Sequence, residues 1–166
     1  MVAGVAMRAL GIDPGTKSTG YGVVDADGDR LVRLDAGVIA LGSGTLAERL
    51  VRLHRELTRL IVTWSPAVCA VENLFHHRSA RSALALGHAR GVCLLAAAAH
   101  GLDLEEYAPA LVKKAVTGNG AAGKEQVQYM VARLLGTEAE ASDHAADALA
   151  AAICLLEARR PLRVYE

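Results

Sequence analysis

The stretch "RALGIDPGTKSTGYGVV", residues 8–24, decides how the chain is read. An apolar run, Ala9-Leu10-Gly11-Ile12, stops at a carboxylate, Asp13. Pro14-Gly15 follows, and a second apolar run closes the stretch at Val24. The pattern predicts two strands, over about 7–13 and 19–25, joined by a turn in which proline presets φ and glycine permits φ > 0. Asp13 then stands where a strand ends. It serves either the turn or a bound cation.

The rest of the chain extends this start. Asp27-Gly28-Asp29 predicts a hairpin into a third strand over about 31–41. "TLAERLVRLHRELTRLIVTW", 45–64, is an amphipathic helix, with Leu46, Leu50, Leu53, Leu57, Leu60 and Ile61 at three- and four-residue spacings. Thr45 and Glu48 make a capping box, and Pro66 closes the segment. "AVCAVEN", 67–73, is a short buried strand that also ends in a carboxylate, Glu72. The loop "LFHHRS" leads into a long helix over about 79–99, and a fifth strand follows at 102–108. Pro109 opens a short helix to about Thr117. A glycine-rich loop at 118–124 precedes helices over about 124–135 and 142–159. Three hairpin strands followed by alternating helices and strands predict an α/β fold. Its mixed five-stranded sheet carries helices on both faces and gathers strand-end carboxylates at one edge.

At 166 residues the chain suits a single domain, with residues 1–6 a flexible extension. Just over half its residues are hydrophobic but only 4% are aromatic, so alanine, leucine and valine do the packing and disorder is excluded. Formal net charge is zero, yet residues 73–102 hold Arg78, Arg81 and Arg90 with no acid, and 107–124 hold Lys113, Lys114 and Lys124 with none. A neutral chain so arranged can present one basic face. Cys69, Cys93 and Cys154 are far apart in apolar surroundings, which predicts buried free thiols in a reducing cytoplasm. No signal peptide is evident, no apolar run reaches the roughly 18 residues of a membrane helix, and "GVCLLAAAA", 91–99, reads as a core helix segment at most.

The last helix adds a third acidic site in "SDHAADALAAAICLL", 142–156. Ser142 is a natural N-cap and Asp143 complements the helix dipole. Asp147 lies beyond the first turn, flanked by alanines, and has neither role. Asp143 and His144 stand four and three residues before it, so spacing alone leaves open which is its companion. Asp13, Glu72 and Asp147 together propose an oxygen-rich cluster. Such a cluster is repulsive unless cations fill it, and Mg²⁺ or Mn²⁺ suits it. Two ions about 3.5–4 Å apart can activate water against a phosphodiester.

At this point the chain resembles the RuvC-type Holliday-junction resolvases of the ribonuclease H-like superfamily. The resemblance rests on "GIDPGTKSTGYGVV", "AVENLF", "SALALGHARGV", "EYAPALVKKAVTGNGAAGKEQVQYMV" and "HAADALAAAI", in order, over about residues 8–155. It implies that Asp13, Glu72 and Asp147 bind two Mg²⁺ ions per active site, with Mn²⁺ as a substitute, and that His144 is the fourth catalytic and metal-site member, there to bind metal, orient water or take a proton. It implies that Phe75 stacks on bases at the opened junction, where stacking contributes about 1–3 kcal/mol. Lys113 and Lys124 match lysines set against DNA near the scissile phosphate, Lys124 with a catalytic part. Lys114 extends that patch, and Arg78 and Arg81 are further phosphate-binding positions. The resemblance also implies a homodimer joined through the helix at 82–101. That dimer nicks two opposed strands of four-way junction DNA and works with the RuvA–RuvB branch-migration complex in recombination and repair. Three alternatives keep the opening motif: a YqgF-type nuclease, a non-catalytic junction-binding domain, and the phosphate loop of an actin-like ATPase.

Overall fold

The computed structural model describes residues 7–73 and 79–160. Residues 1–6, expected to extend from the fold, lie outside the described residues. The opening stretch forms the antiparallel strands β1 (Met7–Asp13) and β2 (Ser18–Asp27), and β3 (Arg30–Ala40) completes a meander. Gly28 makes the predicted turn with φ +57°. Helix α1 (Leu46–Trp64) crosses to β4 (Val68–Glu72), which pairs parallel to β1 on its free side. Helix α2 (Ala80–Ala99) crosses to β5 (Asp103–Tyr107), parallel to β4. The sheet order is β3-β2-β1-β4-β5, the mixed five-stranded sheet expected. Helices α3 (Pro109–Thr117), α4 (Lys124–Leu135) and α5 (Asp143–Ala158) follow.

The period of two along each strand divides the core. Leu10, Ile12, Cys69 and Val71 point to the face covered by α1 and α2. Ala9, Val68 and Ala70 point to the opposite face, with α3, α4 and α5. Continuing the alternation puts Asp13 and Glu72 on the second face, one residue past the hydrophobic run of each strand. There α5 is buried from Ala148 to Leu156 and lies across the centre of the sheet.

Glycines seat that helix. Gly11 and Gly22 are direct partners across β1 and β2, and Gly20 is partnered by Asp13. A Cβ on Gly11 would come 1.9 Å from the Ala148 carbonyl oxygen, and one on Gly20 would come 2.0 Å from the His144 carbonyl oxygen. The backbone of α5 thus rests on a side-chain-free trough in the sheet. Gly15 differs from the sequence expectation, since it is not among the glycines with positive φ. Its requirement is space: a Cβ there would meet the Ser18 carbonyl oxygen at 2.1 Å.

Other expectations are corrected in detail. The capping box of Thr45 and Glu48 forms in full, but Leu46 is exposed and Leu50 only half-buried, so the buried core residues of α1 begin at Leu53. Ser142 occupies the N-cap of α5 without a side-chain cap bond. Helix α2 is a core segment on one face only: Cys93, Ala96 and Ala97 of the expected stretch 91–99 enter the core, and Leu95 does not. By length and composition the helix is apolar enough to cross a membrane, against the expectation that no run reaches that length. Leu86, Ala89, Cys93, Ala96 and Ala97 face inward, while Leu84 and Leu95 are 65% and 59% exposed. Small apolar residues on both sides of α2 hid this division, since no polar stripe marks the outer face. The three cysteines are buried and free, as expected.

Candidate active site

Register brings the first two carboxylates together. Ile12 pairs with Val71 in the parallel β1–β4 ladder, so Asp13 and Glu72 end adjacent strands on the same face. The first turns of α5, held down on Gly20, carry His144 and Asp147 over those strand ends. Lys113 comes from α3 and Lys124 opens α4. These six residues line one cleft of about 350 Å³, walled by Pro14, Pro109, Val112, Val127 and Ala150. The spacing question in α5 is thereby answered: His144 lines the cleft with Asp147, and Asp143 does not.

Asp13 is 3% exposed, and His144 Nδ1 sits 2.7 Å from its Oδ2, with the ring N–H donating to the carboxylate. Burial pushes the Asp13 carboxyl up and the neighbouring Asp147 adds to this, while the His144 bond opposes it. Burial, with the charges of Asp13 and Asp147, pushes Glu72 up to about 7, against the pull of Lys113 and Lys124. Burial also raises Asp147, against the pull of Lys124. Three acids crowded into one partly dry cleft each resist ionisation. An oxygen-only donor set under that stress fits a hard divalent cation, which would relieve the repulsion. As the side chains lie, no group of three or more His, Cys, Asp or Glu among the described residues is gathered closely enough to cage an ion. Asp13 is engaged by His144, and Lys124 Nζ stands 4.0 Å from Asp147 Oδ2.

The remaining sequence candidates divide. Lys114 and Arg81 are exposed and outside the cleft lining, and Arg90 forms an ion pair with Glu106 at the sheet edge. Phe75 and Arg78 lie outside the described residues. Sequence reasoning missed the glycine trough, though Gly20 and Gly22 at alternate strand positions were a readable signal of a flat face. It also missed Lys17 and Ser82. They line a second cleft of about 310 Å³ that shares Pro14 and His144 with the first. Lysine in a turn and serine in a first helical turn are too common to stand out.

A mixed sheet of this order, with carboxylates ending its two central parallel strands and a third on a helix laid across them, defines a nuclease of the ribonuclease H-like class. The chain belongs to the RuvC family: the family described as crossover junction endodeoxyribonuclease RuvC matches residues 9–155. The crossover junction endodeoxyribonuclease RuvC of Acidiphilium cryptum (strain JF-5) is 50% identical over 148 residues, 89% of each chain. The Thermus thermophilus RuvC structure superposes with a TM-score of 0.84 at 36% identity, covering 91% of this chain and 94% of that one. T. thermophilus RuvC in complex with Holliday junction substrate gives 0.83 at 34% identity, with the same coverage.

Proposed function

We propose that this endodeoxyribonuclease resolves four-way DNA junctions by metal-dependent nicking of two opposed strands, with Asp13, Glu72 and Asp147 as its metal-holding carboxylates. The observation that carries the reading is the convergence of those three acids with two lysines in one cleft of a chain of this family. Two Mg²⁺ ions, or Mn²⁺ in their place, would supply an activated water and charge stabilisation at the leaving oxygen. The protein's own residues do the rest. Asp13, rigid at the end of β1, would hold the ions, together with Glu72 and Asp147. Lys113 and Lys124 offset charge on the scissile phosphate, where aimed cations act strongly in a partly dry site. His144 is tied through Nδ1 to Asp13, which leaves Nε2 to take a proton. Phe75, Arg78, Arg81 and Lys114 contribute further DNA contacts.

The outer stripe of α2 supports a homodimer. Leu84 and Leu95 are exposed, and between them Gly87 and Gly91 face open space, where an added Cβ would meet nothing within 4 Å. All four fall on one helical face. A two-fold dimer matches the symmetry of paired cuts on a junction. Reduced, buried thiols support a cytoplasmic setting. The family supports action beside the RuvA–RuvB branch-migration complex.

The test is cleavage of a synthetic four-way junction with Mg²⁺ or Mn²⁺. Wild type gives paired symmetric nicks, and Asp147→Asn binds the junction without cutting it. Equal cutting by Asp147→Asn, or equal nicking of plain duplex, sinks the proposal.

A further inference from the structure

Lys124 stands between two acids of α5. Its Nζ lies 2.8 Å from Asp143 Oδ2 and 4.0 Å from Asp147 Oδ2. Only Asp147 lines the catalytic cleft; Asp143 is outside it and exposed. The side-chain amide of Gln128, one turn further along α4, donates to Asp143 Oδ1 at 2.7 Å. Asp143 is therefore oriented by one residue of α4 while it holds another.

We infer that Asp143, braced by Gln128, is a positioning residue that tethers the Lys124 ammonium at the cleft rim and keeps it off the Asp147 carboxylate, leaving that carboxylate open to a divalent cation. The inference rests on the metal-holding role proposed above. Lysine is a point charge on a flexible four-carbon stem, and its attraction to a carboxylate rises steeply as the gap closes. When Asp143 loses its charge, the next carboxylate oxygen in reach is Asp147 Oδ2. An ammonium in contact there takes up the lone pairs a cation needs, and each binding event must displace it. The same tether leaves Lys124 at the mouth of the cleft, where it can meet a phosphate. A role for Asp143 limited to the α5 dipole would act on helix stability and leave cation affinity alone.

The test is calorimetric titration of Mn²⁺ into DNA-free protein at about 0.15 M salt, where the field of an exposed charge is screened beyond about 8 Å. Wild type, Asp143→Asn, Lys124→Met and the double variant are compared, with thermal melts to show that each is folded. Asp143→Asn is expected to raise the half-saturating Mn²⁺ concentration about three- to tenfold, as loss of an ion-pair constraint predicts. In the Lys124→Met background the same change is expected to have an effect below about twofold, since there is no ammonium left to restrain. Asp143→Glu should restore most of the affinity. Should Asp143→Asn not fold, Gln128→Met reads the same tether and should raise the concentration about twofold. Unchanged Mn²⁺ affinity in the folded variants, or equal effects of Asp143→Asn in both backgrounds, overturns the tether and leaves the metal reading standing. Absence of Mn²⁺ binding in wild type overturns the metal reading and the tether together.

Discussion

At the scale of single residues, the site is three acids that resist ionisation and two bases that answer them. Glu72 carries the largest consequence. Its carboxyl ordinarily titrates near 4.5 and is raised to about 7 by burial and by Asp13 and Asp147. Between those values the native chain holds a proton that the unfolded chain has released. The stability this gives is fully present below about pH 4.5 and is lost as pH rises through 7. In metal-free protein the melting temperature should therefore fall from pH 5 to pH 8, a loss of about 2–3 kcal/mol assignable to Glu72. Glu72→Gln should flatten the profile in thermal melts. An unchanged profile would place the carboxyl near its ordinary value. His144 makes a separate prediction. With Nδ1 committed to Asp13, Nε2 is the nitrogen available for proton transfer. His144→Ala should slow nicking about 10²–10⁴-fold, and added imidazole should restore part of the loss. Imidazole rescue without change in junction affinity separates this role from DNA binding.

At the scale of elements, the fold depends on how closely α5 approaches the sheet. Gly11→Ala would drive a methyl group into the Ala148 carbonyl and should destabilise the protein by about 1–3 kcal/mol or more in urea unfolding. Capping gives a paired prediction. Thr45→Ala removes the hydroxyl that accepts from the Glu48 N–H, keeps the backbone N–H bond to the Glu48 carboxylate, and should cost about 1 kcal/mol, whereas Ser142→Ala removes no cap bond and should fall within about 0.5 kcal/mol of wild type. The contrast also marks what the sequence could disclose. The hairpin, the capping box, the strands that end in Asp13 and Glu72, and every helix were legible, because period, turn residues and cap residues are local. Their outcomes under packing were not. Thr45 and Ser142 look alike in the chain, and only the path of the preceding backbone decides which one caps. Gly15 looked like a φ > 0 position, but a close carbonyl from Ser18 sets its identity. Asp147 was visible as an acid without a local role. Its choice of His144 over Asp143 as companion in the cleft depended on how α5 is rotated over β2, which spacing does not specify.

At the scale of the whole molecule, the cleft lies on one face of the sheet and the exposed stripe of α2 on the other, so the proposed assembly and the proposed catalysis can be tested separately. Leu84→Arg with Leu95→Asp should leave the fold intact and weaken self-association at least about tenfold in sedimentation. Junction cleavage by that variant should shift from paired to single nicks. Unchanged self-association of that variant would disprove the assignment of α2 to the dimer contact, and paired nicking by a monomer would disprove the need for a dimer. The placement of the acids along the chain also bears on synthesis. His144 reaches back across 131 residues to Asp13, and Asp147 follows it on the last described helix. A ribosome-bound chain that has exposed β1, β4 and even both lysines still lacks α5, without which the glycine trough lies bare. A cleft of this make-up is therefore completed only once α5 has been synthesised. It forms when α5 settles into the glycine trough of β1 and β2 and brings the latest-made of its acids to the earliest.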